Sequence, residues 1–245
     1  MASELTQPLW ELDNITKIYP GVRANDNISI KLYPGEIHGL LGANGSGKST
    51  LIKILSGVHQ PDSGSIRYLG REVRLESPTA ARRKGVGTVF QEFSLVPSLT
   101  VAENIFLGRH LSRGGVLLNW HQMEQEAGRI LGELEIEIAP DRLVSDLSVA
   151  EQQLVEIAKA ILLDAKMLIL DEPTTALGEH EIAALHALQR RMKRRGVSIL
   201  YISHRLDEVV SLVDTVTILK DGRVVSTSEE SRLYIDHIVS KMVGR

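Results

Sequence analysis

The sequence predicts an α/β protein in which helices cover both faces of a parallel β-sheet. The short, continuous apolar segments 167–170 and 197–202 are typical of strands buried on both faces. A helix is expected between them over 179–195, and strands that alternate with helices favour a parallel sheet. The pattern becomes mostly helical over 92–164, which indicates an α-helical subdomain inserted into the sheet core.

The N-terminal part of the chain predicts an antiparallel β region that precedes the parallel sheet. Strands are expected over 9–14 and 28–32, and apolar and polar residues alternate in the second of these. A Pro-Gly turn then leads into a buried strand over 36–41. A further hairpin is expected over 66–75. The first part of the core is therefore expected to contain both antiparallel strands and a strand of the parallel sheet.

The remaining elements are predicted from periodicity and from turn residues. Apolar residues at helical spacing indicate a helix over 49–56, which Gly57 would end. A short helix over 79–84 is followed by a strand over 86–90. Asp221-Gly222 separates two short apolar strands, which predicts a hairpin with a type I′ turn. The predicted organisation is one domain, with 1–91 and 165–245 as the core.

Composition limits the classes of function. Of the 245 residues, 43% are hydrophobic and 24% are charged, the net charge is −3, and cysteine is absent. The acidic balance disfavours a duplex-DNA-binding protein, and the missing cysteines exclude disulfides and thiolate metal sites. No apolar run reaches the roughly 20 residues of a membrane span, and the start lacks the pattern of a secretion signal. A cytoplasmic location is expected.

A glycine-rich loop between a predicted strand and a predicted helix matches the phosphate-binding pattern of Gly, four residues, Gly, Lys and Ser/Thr. The loop comprises Gly42, Ala43, Asn44, Gly45, Ser46, Gly47, Lys48, Ser49 and Thr50. Glycines let backbone N–H groups turn toward phosphates, Lys48 would reach the β- and γ-phosphates, and Ser49 would ligate Mg²⁺. The alternative is a glycine-rich turn with a surface lysine. The strand–loop–helix context favours a P-loop that binds ATP and Mg²⁺.

Two acids and a histidine follow two other predicted strands. Asp171 and Glu172 come directly after 167–170, and His204 follows 197–202. Carboxyl ends of parallel strands share one edge of the sheet, so all three are expected beside the P-loop. Asp171 fits an Mg²⁺ anchor, while Glu172 and His204 fit residues that position the attacking water. The alternatives are a helix N-cap for the acids and a structural histidine.

These motifs, in this order, resemble the ABC ATPase family along essentially the whole chain. The resemblance places Gln91 in the Q-loop, where it would sense Mg²⁺ and water beside the membrane domain. It places Tyr19 where the family stacks an aromatic ring on adenine, although a core-packing role for Tyr19 stays open. Residues 147–153 occupy the position of the LSGGQ signature, whose serine, here Ser148, approaches the γ-phosphate of ATP on the opposite ATPase half.

A narrower resemblance joins the chain to the first ATPase half of bacterial monosaccharide importers. It is carried by the segments 19–24, 34–42 and 155–160 and by the ending 241–245. It implies as partners a second ATPase half, transmembrane permease domains and, indirectly, an external sugar-binding protein. The chain would then be a peripheral protein on the inner face of the membrane. The expectation is an excised N-terminal half of a tandem protein, and the alternative is a stand-alone subunit that homodimerises.

The signature departs from the family pattern at three positions. Val149 and Ala150 replace two glycines, which adds side chains where close backbone approach is wanted. Glu151 replaces a glutamine and is expected to bring negative charge toward a phosphate. Gly178 stands where the family usually has aspartate, which puts a contact across the dimer in doubt. We therefore expect an asymmetric pair of ATP sites.

The function predicted from the sequence is Mg²⁺-dependent ATP hydrolysis that drives sugar import. The first alternative is an ABC ATPase of translation or DNA repair, and the second is a largely non-hydrolysing regulatory half. The short interval between Lys48 and Asp171 leaves no room for the coiled-coil insertion of repair types. The basic runs 82–84 and 190–195 each precede a glycine at a predicted helix end, where cations favour the helix dipole. Nucleic acid is therefore not an expected partner.

Overall fold

The computed structural model describes residues 7–90, 94–108, 112–113, 117–162, 164–175, 177–203, 205–229 and 238–239. The strands of this part are β1 Trp10–Tyr19, β2 Val22–Leu32, β3 Ile37–Gly42, β4 Ser63–Tyr68, β5 Arg71–Val73, β6 Val86–Val89, β7 Ser112–Arg113, β8 Leu117–Leu118, β9 Met167–Asp171, β10 Ser198–Ile202, β11 Thr215–Lys220 and β12 Arg223–Glu229. The α-helices are α1 Lys48–Leu55, α2 Pro78–Arg83, α3 Val101–Ile105, α4 Trp120–Glu133, α5 Val149–Leu162, α6 Glu179–Arg194 and α7 Leu206–Leu212.

The central sheet has six strands in the order β12-β11-β3-β10-β9-β6. Strands β11, β3, β10, β9 and β6 run parallel, and β12 pairs antiparallel with β11 at one edge. In the register of the three central strands, Ile202 lies opposite both Leu40 on β3 and Asp171 on β9. The carboxyl ends of these strands therefore form one edge, as doubly wound folds require.

Alternate residues of the central strands enter two separate hydrophobic cores. On β9, Leu168 and Leu170 belong to the core shared with α3–α6, whereas Met167 and Ile169 belong to the core shared with α1 and the N-terminal strands. All four side chains are fully buried. This period of two explains why the strand is apolar throughout its length. The sheet is covered on both faces, as predicted.

The second sheet is antiparallel, with the order β2-β1-β4-β5. Its apolar side chains pack, together with Leu51, Ile52, Ile54 and Leu55 of α1, against the central sheet. The pairing of β1 with β2 contains three register shifts, which interrupt the simple alternation of apolar and polar residues. Both strands are therefore longer than the sequence pattern predicts.

The predicted fold class is confirmed by this architecture. The hairpin at 221–222 has positive φ angles at both turn residues, 49° at Asp221 and 77° at Gly222, which defines the predicted type I′ geometry. The helices α3, α4 and α5 pack on one another and contribute to one shared core. The division into a core, 1–91 with 165–245, and a helical subdomain, 92–164, remains our proposal. No helix of the described ranges is both long enough and apolar enough to cross a membrane.

Candidate nucleotide site

The phosphate loop begins at Gly42, the last residue of β3, and includes residues 48–50, the first three residues of α1. Gly47 lies directly before α1. Its backbone φ of 104° is one that residues with a side chain rarely adopt. A Cβ at Gly47 would lie 2.4 Å from the Ala24 carbonyl oxygen, and one at Gly42 would lie 2.4 Å from the Leu219 carbonyl oxygen. Glycine is therefore required at these positions because backbone from β2 and β11 packs directly against the loop.

The loop is tethered from behind by residues that sequence reasoning missed. Asn25 Nδ2 donates to the Gly47 carbonyl oxygen at 3.1 Å, and the Gly222 N–H donates to the Ser46 carbonyl oxygen at 3.1 Å. Asp26, which is buried, accepts from Arg223 at 2.7 Å and thereby joins β2 to the hairpin that carries Gly222. The hairpin was visible in the sequence, but nothing in the pattern indicated its contact with the loop.

Two buried polar atoms in this region lack a hydrogen-bond partner in the described part of the chain, namely Ser46 Oγ and Asn25 Oδ1. Lys48 Nζ donates to the carbonyl oxygens of Gly42 at 2.6 Å and Ala43 at 3.0 Å, so the ammonium folds back over the loop. A buried polar group without a partner is costly, and the acceptor oxygens of a phosphate can satisfy the Ser46 hydroxyl but not the Asn25 amide oxygen, which is itself an acceptor. The loop therefore fits a bound nucleotide triphosphate.

The two predicted acids lie at the carboxyl end of β9. Glu172 has a φ of 49°, in the left-handed region, and its N–H donates to the Ile202 carbonyl oxygen at 2.9 Å. Its own carbonyl oxygen accepts from Thr175 Oγ1 at 3.0 Å. Backbone held in a sparsely populated conformation by its surroundings is frequent at functional sites. The alternative of a simple helix N-cap is not observed, since α6 begins later, at Glu179.

Charges in the cleft perturb one another. Burial lowers the pKa of Lys48, and the carboxylates of Glu172 and Asp171 oppose that change. Burial raises the pKa of Asp171; the charge of Glu172 adds to this, and that of Lys48 counteracts it. The structure thus brings the lysine and both acids into one electrostatic unit. A cation close to Asp171 would relieve the penalty on its charged form.

A cleft of about 610 Å³ connects these groups, a volume suited to a small-molecule ligand. Residues 44–50 line it together with Asp171 and Glu172, and residues 22–24 with the 221–222 turn complete its wall. No cluster of three or more acidic or histidine side chains suited to a metal occurs among the described residues. The exposed Ser49 hydroxyl and the Asp171 carboxylate fit Mg²⁺, which characteristically takes few protein ligands and completes its shell with phosphates and water.

Tyr19 lies outside the set of residues that line the cleft. It ends β1, where it pairs with Val22, and Val22 does line the cleft. The Tyr19 ring is half-buried and meets the His59 ring edge-on, with 5.9 Å between centroids. Lys17 Nζ is 5.7 Å from the centroid of the Tyr19 ring. Stacking of Tyr19 on adenine stays a prediction.

Two predicted catalytic residues lie outside the described residues. Gln91 follows β6 within 91–93, and His204 follows β10 between Ser203 and Arg205. The strands that precede them end at the same edge of the sheet as Asp171. Their roles stay predictions from the motif pattern.

The signature segment forms the start of α5. Ser148 and Val149 are exposed, and neither lines the cleft that contains Lys48. The Ser148 N–H donates to Glu151 Oε2 at 2.7 Å, and the Glu151 N–H donates to Ser148 Oγ at 3.2 Å. This reciprocal pair is a capping box, which the Ser-x-x-Glu spacing could have indicated. The Glu151 carboxylate is thus part of the helix cap, and its effect on a phosphate of a second half stays a prediction.

The P-loop, the adjoining acids and the parallel sheet define a P-loop nucleotide-binding protein. Residues 25–175 match the sequence profile of the ABC transporter family. The chain therefore belongs to this family, and its fold is that of an ABC ATPase.

Named relatives are similar to this chain along almost its whole length. It is 48% identical over 245 residues to a putative ribose/galactose/methyl galactoside import ATP-binding protein of Agrobacterium fabrum, covering 100% of this chain and 48% of the relative. It is 50% identical over 241 residues to a ribose import ATP-binding protein of Rubrobacter xylanophilus, covering 98% of this chain and 48% of the relative. The chain spans about half the length of these curated relatives.

Solved structures agree with this assignment. The ADP conformation of an ATP-binding cassette of an ABC transporter superposes with a TM-score of 0.85 at 25% identity, covering 98% of this chain and 100% of that chain. A nucleotide-free ATP-binding cassette from an ABC transporter superposes with a TM-score of 0.82 at 26% identity, covering 96% and 97% of the two chains.

Proposed function

We propose that this chain binds and hydrolyses Mg²⁺-ATP as one ATPase half of a sugar importer. The observation that carries the proposal is the cleft in which Lys48, Asp171 and Glu172 meet beneath a glycine cradle. A phosphate loop without acids would suffice for binding. The added acids supply a metal anchor and a group that orients water, which hydrolysis requires.

In the proposed mechanism each group acts on a different part of the nucleotide. The N–H groups of 45–50 and the ammonium of Lys48 hold the β- and γ-phosphates and stabilise charge that develops in the transition state. Glu172 orients the attacking water, with His204 beside the γ-phosphate as a further prediction. Ser49 and Asp171 would hold Mg²⁺, and Gln91 would join them as predicted. When bound, the metal neutralises phosphate charge.

The exposed signature requires a second ATPase half. Because Ser148 lies outside the cleft of its own chain, it can meet a γ-phosphate only on another half. Relatives about twice as long as this chain favour a second half fused in the same polypeptide. A pair of separate chains is the alternative arrangement. Closure of two halves would complete each site by adding hydrogen-bond donors.

A groove between the core and α5 suits contact with a permease. It has a volume of about 230 Å³, and Phe90 and Val58 line it with exposed apolar side chains. Lys159, also in its lining, donates to Ser94 Oγ at 3.1 Å, and Ser94 in turn donates to Glu156. Because the predicted Q-loop residue Gln91 directly follows Phe90, a permease segment in this groove would sense the nucleotide state.

Sugar as the transported solute is proposed from the names of the relatives. A chimera tests it: this chain replaces the N-terminal half of the Rubrobacter ribose import ATP-binding protein, and ribose uptake is measured. Uptake that depends on Lys48 would support the proposal. ATP hydrolysis without uptake would contradict the assignment to sugar import.

Hydrolysis is tested by steady-state ATPase activity of the chain and of Glu172→Gln across a wide range of protein concentration. We expect Mg²⁺-ATP binding by both proteins and a fall of about 100-fold or more in activity for the variant. Glu124→Gln, an exposed carboxylate on α4, is the matched control. Failure of the chain to bind ATP would overturn the proposal.

The second candidate function is a nucleotide-binding half with little hydrolysis of its own. The exposed Val149 at the start of α5 favours it, because a side chain there hinders close approach of a phosphate. Tight binding of Mg²⁺-ATP with no Glu172-dependent turnover at any concentration would favour this candidate.

A further inference from the structure

Glu151 is the signature substitution that adds a charge, and its carboxylate has two partners. It accepts from the Ser148 N–H at 2.7 Å and from Arg142 Nη1 at 2.6 Å. Burial alone would raise the pKa of Glu151, but the hydrogen bonds from Ser148 and Arg142 hold it below the ordinary value. The charged carboxylate is therefore retained at the helix cap with a cation against it.

Arg142 joins three parts of the chain at this point. Its Nη2 donates to the Asp146 carbonyl oxygen at 2.7 Å, on the short 3₁₀ helix Val144–Asp146 that leads into the signature. Its own carbonyl oxygen accepts from the Val101 N–H at 2.9 Å, at the start of α3. The backbone of Arg142 is thus held by α3, and its guanidinium holds the 3₁₀ helix that precedes α5.

The Ser148 hydroxyl is an exposed donor of the signature. Ser148 Oγ accepts from the Glu151 N–H at 3.2 Å, and the Ser148 hydroxyl also hydrogen-bonds the Glu151 carboxylate. A serine hydroxyl has one proton to donate in addition to its acceptor capacity. Because Ser148 is exposed, rotation of the hydroxyl would move that proton from Glu151 to an oxygen outside the chain, while Arg142 keeps the carboxylate paired.

We propose that Arg142 is a positioning residue of the altered signature, which holds the Glu151 carboxylate on the α5 cap and keeps it paired when the Ser148 hydroxyl turns to donate to the γ-phosphate on a second ATPase half. The proposal rests on the proposed function, because it needs a nucleotide opposite Ser148. It assigns the compensation for Glu151 to a residue nine positions earlier in the chain.

Loss of Arg142 would have two physical consequences. Without the Arg142 cation, the negative Glu151 carboxylate at the first turn of α5 would repel the negative triphosphate of the second half. The carboxylate could also leave the cap, and the Ser148 N–H would lose its partner. Glu151→Gln in the same chain removes the repulsion, because glutamine is neutral. Its side-chain oxygen can still accept from the Ser148 N–H, so the helix cap is retained.

The test uses the chain in the Glu172→Gln background, which is expected to retain ATP. Arg142→Gln, Arg142→Gln with Glu151→Gln, and Arg142→Lys are compared by sedimentation velocity for Mg²⁺-ATP-driven self-association. Arg191→Gln is the matched control, because Arg191 likewise bonds one carboxylate, Glu135, and one backbone carbonyl, Leu134. ATP affinity of each monomer is measured separately by calorimetry and tests the proposed function alone.

We expect Arg142→Gln to weaken association roughly fivefold to tenfold, with ATP affinity unchanged. The double variant should recover most of the loss, and Arg142→Lys part of it, whereas Arg191→Gln should lower thermal stability without weakening association. Equal association by all variants would overturn the proposal.

Amide hydrogen exchange decides the proposal even where the parent chain does not self-associate. Arg142→Gln should speed exchange of the Ser148 and Glu151 amides, and the double variant should restore their protection. Unchanged protection of both amides in Arg142→Gln would overturn the proposal.

Discussion

The phosphate loop and the signature segment are both helix N-termini, yet they differ in how completely their polar groups are satisfied. At the loop, Ser46 Oγ is buried without a partner among the described residues, and burial raises the pKa of Asp171. At the signature, the cap is complete and the pKa of Glu151 is lowered. The first region has groups that a ligand can satisfy, whereas the second is already satisfied by its own chain.

This difference follows from the proposed roles. A site that binds ATP within one chain gains affinity when the ligand supplies missing partners and counter-charges. A surface that meets ATP on another half must persist while it is apart from that half, and internal hydrogen bonds hold it in place. The contrast predicts that substitutions in the two regions act on different measurable quantities.

The largest expected effect is at Gly47. Gly47→Ala should weaken Mg²⁺-ATP binding about 100-fold, since a Cβ there would lie 2.4 Å from the Ala24 carbonyl oxygen at a φ of 104°. Gly45→Ala is the control in the same loop: its φ is also positive, at 80°, but no atom lies within 4 Å of the added Cβ. Gly45→Ala should weaken Mg²⁺-ATP binding only about tenfold. Calorimetry measures both, and equal losses would show that the packing of β2 on the loop is unimportant.

Asp171→Asn should have effects of opposite sign on binding and on stability. Magnesium-dependent ATP affinity should fall about tenfold, because an anchor for the metal is lost. Stability without nucleotide should rise by about 1 kcal/mol at pH 7, which is roughly 2–4 °C in Tm.

The sign of the stability change follows from the pKa of Asp171. A carboxyl whose folded pKa is raised binds its proton more readily in the folded state, so stability falls as pH rises through that pKa. The gain from asparagine should therefore be present at neutral pH and absent below the ordinary value of 3.8. Asp164→Asn, at an 83% exposed side chain, is the control. A lower Tm for Asp171→Asn at pH 7 would contradict the assignment.

Two capping boxes allow structure to be separated from function in the signature region. Ser148→Ala and Thr100→Ala each remove an N-cap that is paired with a glutamate three residues later. Each should cost about 1 kcal/mol of stability. Only Ser148→Ala should also weaken Mg²⁺-ATP-driven association, by roughly fivefold, because only that hydroxyl would meet a phosphate. Identical behaviour of the two variants would leave Ser148 with a structural role alone.

The smallest expected effect is that of restoring the signature glycines. Val149→Gly with Ala150→Gly should raise turnover of the assembled protein about threefold, since Val149 is 44% exposed where close approach is needed. The gain is limited because glycines in a helix destabilise it by roughly 0.5–1 kcal/mol each. Turnover is measured at saturating ATP. An unchanged value would count against functional asymmetry.

Local pattern was sufficient for the fold class and for the chemistry of the loop. The glycines at 42, 45 and 47 were recognised from the local motif alone, whereas the backbone of β2 and β11 that demands glycine at 42 and 47 was visible only in the structure. The Asp-Gly turn at 221–222 was predicted with its type, since few residues adopt positive φ at both positions. Element bounds were less predictable, as the register shifts in β1 show.

By itself the sequence determined that a phosphate loop, two acids and a signature lie on an α/β core, because motif and period are local properties. Only the tertiary structure decided that Asn25 and Gly222 hold the loop and that Arg142 neutralises Glu151. Those contacts join segments that are not neighbours in a motif, so no local sequence pattern predicts them. They depend on which strands become neighbours and in which register, and packing of the whole chain sets both.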